Sequence, residues 1–432
     1  MKKYNTYKDS GVQWIGEIPK KWEIKRLKLL GDIIPSNVDK KTKEGERKVE
    51  LCNYVDVYKN DFITDDIKFM KASASDVQIE KLTLRKFDVI ATKDSEDPKD
   101  IGVPALVKSD FDNVVCGYHL TLVRCNENVL NGNYFYWVIR SEGSSQYFYT
   151  VARGITRYAI GSNVFKNINV PLPESLEEQT QIANYLNHKT AQLDTLIAKK
   201  EQLINLLQEE RTAMINQAVT KGLDPNVRMK DSGMEWLGEI PEHWERKKLK
   251  HIFDSRNSIR VPLSSEERGK MESKTYDYYG ASGVIDKVED YLFDEELILI
   301  GEDGANLLTR SKRLAFIANG KYWVNNHAHI IKPKKGNIYY LCELLEMLDY
   351  SIWVTGSAQP KLTQEALMSI QLFEPSVSEQ NEIYEFINLE SQRMNSLISK
   401  TQQEINLLKE YKTALISEVV TGKVDVREDV LN

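Results

Sequence analysis

Two stretches of the chain, residues 176–220 and 376–421, lack both Gly and Pro and carry apolar residues at helical spacing. In the first, Leu186, Leu193, Leu207 and Met214 share one seven-residue register, with Leu196 and Leu203 at the intermediate position. In the second, Ile387, Met394, Leu408 and Leu415 share the matching register, with Leu397 and Tyr411 between. This a/d spacing, broken at Lys200 and Thr401, predicts long helices that pack along their length. Ser175 and either Ser376 or Ser378 follow Pro173 and Pro375 as N-caps. A helix of about 43 residues would run about 64 Å.

The stretches between, roughly 22–172 and 244–373, read as mixed α/β. Leu84–Asp94 and Val288–Gly304 hold short apolar runs that end as strands do. Val114–Arg124 and Tyr322–Pro333 alternate like strands, with His119 and His327 at their centres. Helices are expected near 133–149 and 337–351.

The chain also repeats itself. DSGVQWIGEIPKKWEIKRLK at residues 9–28 returns as DSGMEWLGEIPEHWERKKLK at residues 231–250, and Glu178-Gln179 at the first helix start returns as Glu379-Gln380. The ends of the halves agree while the middles do not. Whatever distinguishes the halves lies in the middles, and Gly222 and Pro225 mark the linker.

Over 432 residues, 41% hydrophobic and 28% charged, the composition is that of a globular protein of two or three domains. No apolar run reaches a membrane span, and the start has no apolar stretch behind its lysines, so a cytoplasmic protein is expected. Cys52, Cys116, Cys125 and Cys342 have no metal or redox spacing and are expected to be reduced thiols, with no metal bound. Net charge is −6, but residues 174–218 carry −3 and 374–419 carry −4, so the rest sums to +1 and can hold basic patches.

Several chemistries are missing. No proline is followed by Asp or Pro, which removes the usual amino-methyltransferase and restriction-nuclease motifs. No G-x-x-x-x-G-K-[ST] loop and no G-x-S-x-G elbow occurs.

The W-x-G-E-I-P-x-x-W-E opening, its return at mid-chain and the E-Q-x-x-I helix starts resemble the specificity subunit of type I restriction–modification systems, over the whole chain. The resemblance implies an α+β fold in which two mixed α/β target-recognition domains are joined by two long antiparallel helices, a pseudo-twofold internal repeat. The expected boundaries are 1–173 for the first recognition domain, 174–221 for the first helix, 222–373 for the linker and second domain, and 374–432 for the second helix and tail. It further implies a non-catalytic chain that reads a bipartite site on double-stranded DNA. Two modification subunits would dock on it and methylate adenine, and restriction subunits would translocate and cleave. The chain itself would bind no cofactor; S-adenosylmethionine, ATP and magnesium would belong to those partners. The competing reading is a scaffold that binds only proteins, which predicts no salt-dependent DNA affinity.

Lys and Arg should meet phosphates, and other side chains base edges. In the first domain the candidates are Lys93, Asp94, His119, Arg153, Arg157 and Tyr158. In the second, ARGITRYAIG finds its counterpart in TGSAQPKLTQ, which aligns Gly154 with Gly356 and Arg157 with Gln359. Gln359 and Lys361 lead there, followed by Glu302, Asp303, Arg310, Arg313, Asn326 and His327. Trp14, Trp22, Trp236 and Trp244 are expected to anchor the core. For His119 and His327 a buried imidazole competes evenly with a base contact.

Overall fold

A computed structural model describes residues 2–356 and 359–428. The chain divides into two compact units: residues 202–401 form the second, and the remainder the first. The long helices, Leu176–Lys221 and Val377–Val420, each contribute one part to each unit. Ser175 and Ser376 are the caps, their hydroxyls accepting from the amides of Glu178 and Glu379 at 3.2 Å, while Ser378 bonds Glu382 instead.

Within the first unit the helices run antiparallel. Lys200 pairs with Glu404 at 2.5 Å and Lys412 with Asp194 at 2.7 Å, so one number rises as the other falls. The seam differs from the a/d expectation. Leu196, Leu203, Leu397 and Tyr411 are 42–44% exposed, whereas Leu186, Thr190, Ile197, Met394, Thr401, Ile405 and Leu415 are buried. The buried stripe thus steps by four rather than three from the shared register, an a/e seam. An apolar residue at the third position is equally compatible with either face in sequence, and packing chose the other. Thr401, an apparent break, sits in that seam with its hydroxyl donating to the Leu397 carbonyl at 2.8 Å.

Each unit is built on a matching four-strand core. In the first the order is Gly31–Pro35, Leu120–Cys125, Val89–Thr92, Pro104–Val107, with Phe62–Ile63 added at the edge. In the second it is Phe253–Ser255, Ala328–Pro333, Leu297–Gly301, Ala315–Ala318. Smaller sheets differ between the units: three strands around Arg47–Cys52 in the first, four around Tyr276–Gly280 in the second.

The repeated motifs become repeated joints. Trp22, 1% exposed, donates its indole N–H to Glu178 at 3.1 Å; Trp244, 2% exposed, does the same to Glu379 at 3.0 Å. Gln179 accepts from the Asn131 amide at 2.8 Å and Gln380 from that of Asn337 at 2.9 Å, each just ahead of the helix that follows the core sheet. These bonds explain the Glu-Gln pair: a buried indole N–H and an N-cap amide each need an acceptor. Trp14 and Trp236 do not share that burial. Trp14 packs partly against Gly143 on the Glu142–Val151 helix, and Trp236 is 37% exposed. In the second unit the comparable segment is only the short turn Tyr350–Trp353.

Candidate functional site

Two neighbouring interior strands of each core sheet bring their ends together. In the first unit Thr92 pairs with Leu120, so Asp94, two residues beyond one strand, meets His119, one residue before the other. His119 therefore lies in the connection between strands, not at a strand centre. The Lys93 amide donates to the His119 carbonyl at 3.0 Å, and His119 Nδ1 lies 2.6 Å from Asp94 Oδ1.

A third segment closes over this pair. The hairpin of Arg153–Gly154 and Tyr158–Ala159 pairs with Asp94–Ser95, placing Ala159 opposite Asp94 and Tyr158 opposite Ser95. Arg157 then donates from Nε and Nη2 to Asp94 Oδ1 at 3.0 and 2.7 Å. Gly154 is required: a Cβ there would lie 2.0 Å from the Arg157 carbonyl oxygen. Asp94 thus holds two cation-capable side chains, and Arg157, half-exposed, keeps Nη1 free of that carboxylate. Burial lowers the His119 pKa, and the neighbouring Asp94 opposes this only in part. Lys93 turns inward, donating to the Ser36 carbonyl at 2.8 Å, and burial lowers its pKa as well. Arg153 stays exposed on the hairpin.

The sequence reading missed a row of aromatics beside this cluster. Tyr118 lies against His119 with centroids 3.5 Å apart; Tyr54 meets His119 edge-on at 6.4 Å and stacks on Tyr58 at 5.6 Å. Tyr54 and Tyr58 come from a helix some 60 residues upstream, Tyr54–Lys59, and only the fold brings them here.

The second unit repeats the junction with other chemistry around it. Gly301 pairs with Ala328, the Glu302 amide donates to the His327 carbonyl at 2.8 Å, and His327 Nδ1 lies 2.8 Å from Asp303 Oδ2. His327, like His119, precedes its strand rather than occupying the middle of it. The segment matching the hairpin arrives through bridges of Lys361 to Asp303 and Thr355, and the Leu362 amide donates to the Glu302 carbonyl. Here Glu302 is the buried hub, paired with Arg260 at 2.6 Å and Lys361 at 3.3 Å. Burial pushes the Glu302 carboxyl up, but Arg260, His329 and Lys361 together bring it below the usual range. Gln359 and Asn326 are exposed at this rim. Arg260 was not among the expected residues; nothing in its local sequence marks it.

Arg310 and Arg313 do not join the site. Arg310 donates to the carbonyls of Leu348 and Glu346 at the end of the Ile338–Met347 helix, and Arg313 pairs with Glu343 within it at 2.9 Å. The imidazole that is a core group is His329, 1% exposed, bonded to Asn257 and the Leu362 carbonyl. Among the described residues no group of three His, Cys, Asp or Glu side chains could hold a metal ion. Cys52, Cys116 and Cys342 are buried free thiols and Cys125 is half-buried; burial pushes Cys342 up to about 12. No helix among the described residues is long and apolar enough to cross a membrane.

The comparisons agree with this arrangement. The type I restriction modification DNA specificity domain matches twice, over residues 19–206 and 241–407. The type I restriction enzyme MjaVIII specificity subunit of Methanocaldococcus jannaschii is 24% identical over 440 residues, spanning 95% of this chain and 94% of that one. The EcoprrI specificity subunit of Escherichia coli is 28% identical over 137 residues, 32% of this chain and 33% of that one. Among solved structures, a chain from work on complex assembly and conformational transition of the type I R-M system aligns over 94% of this chain and 99% of its own, with a TM-score of 0.66 at 16% identity. The HsdS subunit from Thermoanaerobacter tengcongensis aligns over 94% and 98%, with a TM-score of 0.56 at 15% identity. Two copies of one domain family span most of these residues, each with the same strand-end junction, and the chain belongs to the type I restriction–modification specificity subunits.

Proposed function

We propose that each unit reads one half of a bipartite duplex DNA target with the side chains around its Asp–His junction, and that the chain performs no chemistry itself. One observation carries this reading: the same junction stands at the ends of the matching interior strands in both units, ringed by Arg157 and tyrosines in one and by Gln359, Asn326 and Lys361 in the other. A shared frame with unlike polar rims suits two readers of unlike half-sites, because Arg favours guanine and Gln or Asn favours adenine in the major groove. In this reading the long helices set the gap between half-sites, and joining two weak readers makes the second contact effectively intramolecular. Modification subunits dock on the chain and bring S-adenosylmethionine to adenine; restriction subunits bring ATP and magnesium. The exposed Leu389, Leu397, Leu206 and Leu407 on the helices offer such partners apolar side chains to cover. The chain works where the DNA is, in the cytoplasm.

Co-expression with a modification subunit and genome-wide mapping of methyladenine tests this. The expected result is a two-part motif of which Arg157→Ala alters one half. An unchanged motif at unchanged occupancy refutes Arg157 as a reader, and DNA affinity without steep salt dependence refutes the DNA reading.

A further inference from the structure

We infer that Ile155 is a specificity determinant that packs on the 5-methyl group of a thymine; this rests on the DNA reading above. Ile155 is 92% exposed at the tip of the Arg153–Ala159 hairpin, with exposed Arg153 and Arg157 on either side. The tip is held, not loose. Its strands pair Arg153 with Ala159 and Gly154 with Tyr158, its outer strand pairs with Asp94–Ser95, and Arg157 is clamped on Asp94. The β-branched side chain has few rotamers to lose on contact.

Such a residue between two cations is presented toward a polyanion, yet contributes nothing to phosphate binding. On the major-groove edges of the bases the apolar group is the thymine methyl, so that is the partner its chemistry selects. In sequence the Gly154–Gly356 match aligns Ile155 with Ser357, which lies outside the described residues.

The test uses the full chain and a duplex selected by it from a randomised library. Each thymine is replaced in turn by uracil, which deletes only the methyl. Wild type should bind about fourfold more weakly at one position, the worth of one buried methyl. Ile155→Ser should bind the thymine and uracil duplexes equally there, and Ile155→Val should keep most of the discrimination. Indifference of wild type to every replacement overturns the inference, as does Ile155→Ser that still discriminates or that loses affinity equally on both duplexes. In those cases the selected sequence still stands and the DNA reading survives; if no sequence is selected, both fall.

Discussion

The two units agree where they join the long helices and disagree where they face outward. Trp22–Glu178 and Asn131–Gln179 in the first recur as Trp244–Glu379 and Asn337–Gln380 in the second, within 0.1 Å in each bond. At the rims the Asp–His junction persists while its neighbours change: Lys93 becomes Glu302, Arg157 becomes Gln359, and Tyr118 becomes Asn326. The joints stayed alike because each satisfies a buried donor, where a substitution leaves an orphan. The rims are solvated and free to change.

The largest test of the shared joints is truncation of the buried indoles. Trp22→Ala and Trp244→Ala should each cost about 3–5 kcal/mol, read by denaturant unfolding; a large inequality between them would break the equivalence of the two joints. Glu178→Ala and Glu379→Ala should cost about 1–3 kcal/mol, and more for Glu178. Its carboxylate is the more buried and also accepts from the Tyr4 hydroxyl at 2.8 Å, whereas Glu379 serves the exposed His243.

Acid should separate the units next. Burial holds His329 below its ordinary 6.5, and its neutral ring both accepts from Asn257 and donates to Leu362. The unfolded imidazole binds a proton first, so stability is full at neutral pH and falls as pH drops below about 6.5, by up to about 1.4 kcal/mol per pH unit. Glu302, held low, adds a loss further into acid, below about 4.5. In the first unit Thr121 stands at the position of His329; His119 pulls the same way but is less buried, and Asp88, pushed up by burial, pulls oppositely. Limited proteolysis at pH 7.5 and 5.5 should therefore show cleavage rising first within residues 202–401, and His329→Gln should reduce that difference. The smallest effect belongs to the helix pair: Lys412→Ala removes a partly exposed ion pair with Asp194 and should cost under about 1 kcal/mol, read as a small fall in melting temperature.

The amino-acid order alone determined the duplication, the two long helices to within a few residues, and the mixed α/β character of the middles, because these rest on local periodicity and on motifs that recur intact. It also singled out Asp94, His119 and Arg157, which share one cluster, and Asp303 and His327, which form the matching pair. Tertiary structure decided the rest. Which stripe of the helices is buried depends on the partner surface and not on spacing, so the seam moved from a/d to a/e. Arg310 and Arg313 contact the Ile338–Met347 helix rather than the Asp–His junction, and Tyr54 and Arg260 reach the rims from distant segments. A side chain's role at a site is set by what sheet register and chain crossings place beside it, and those neighbours come from parts of the chain that no local pattern connects.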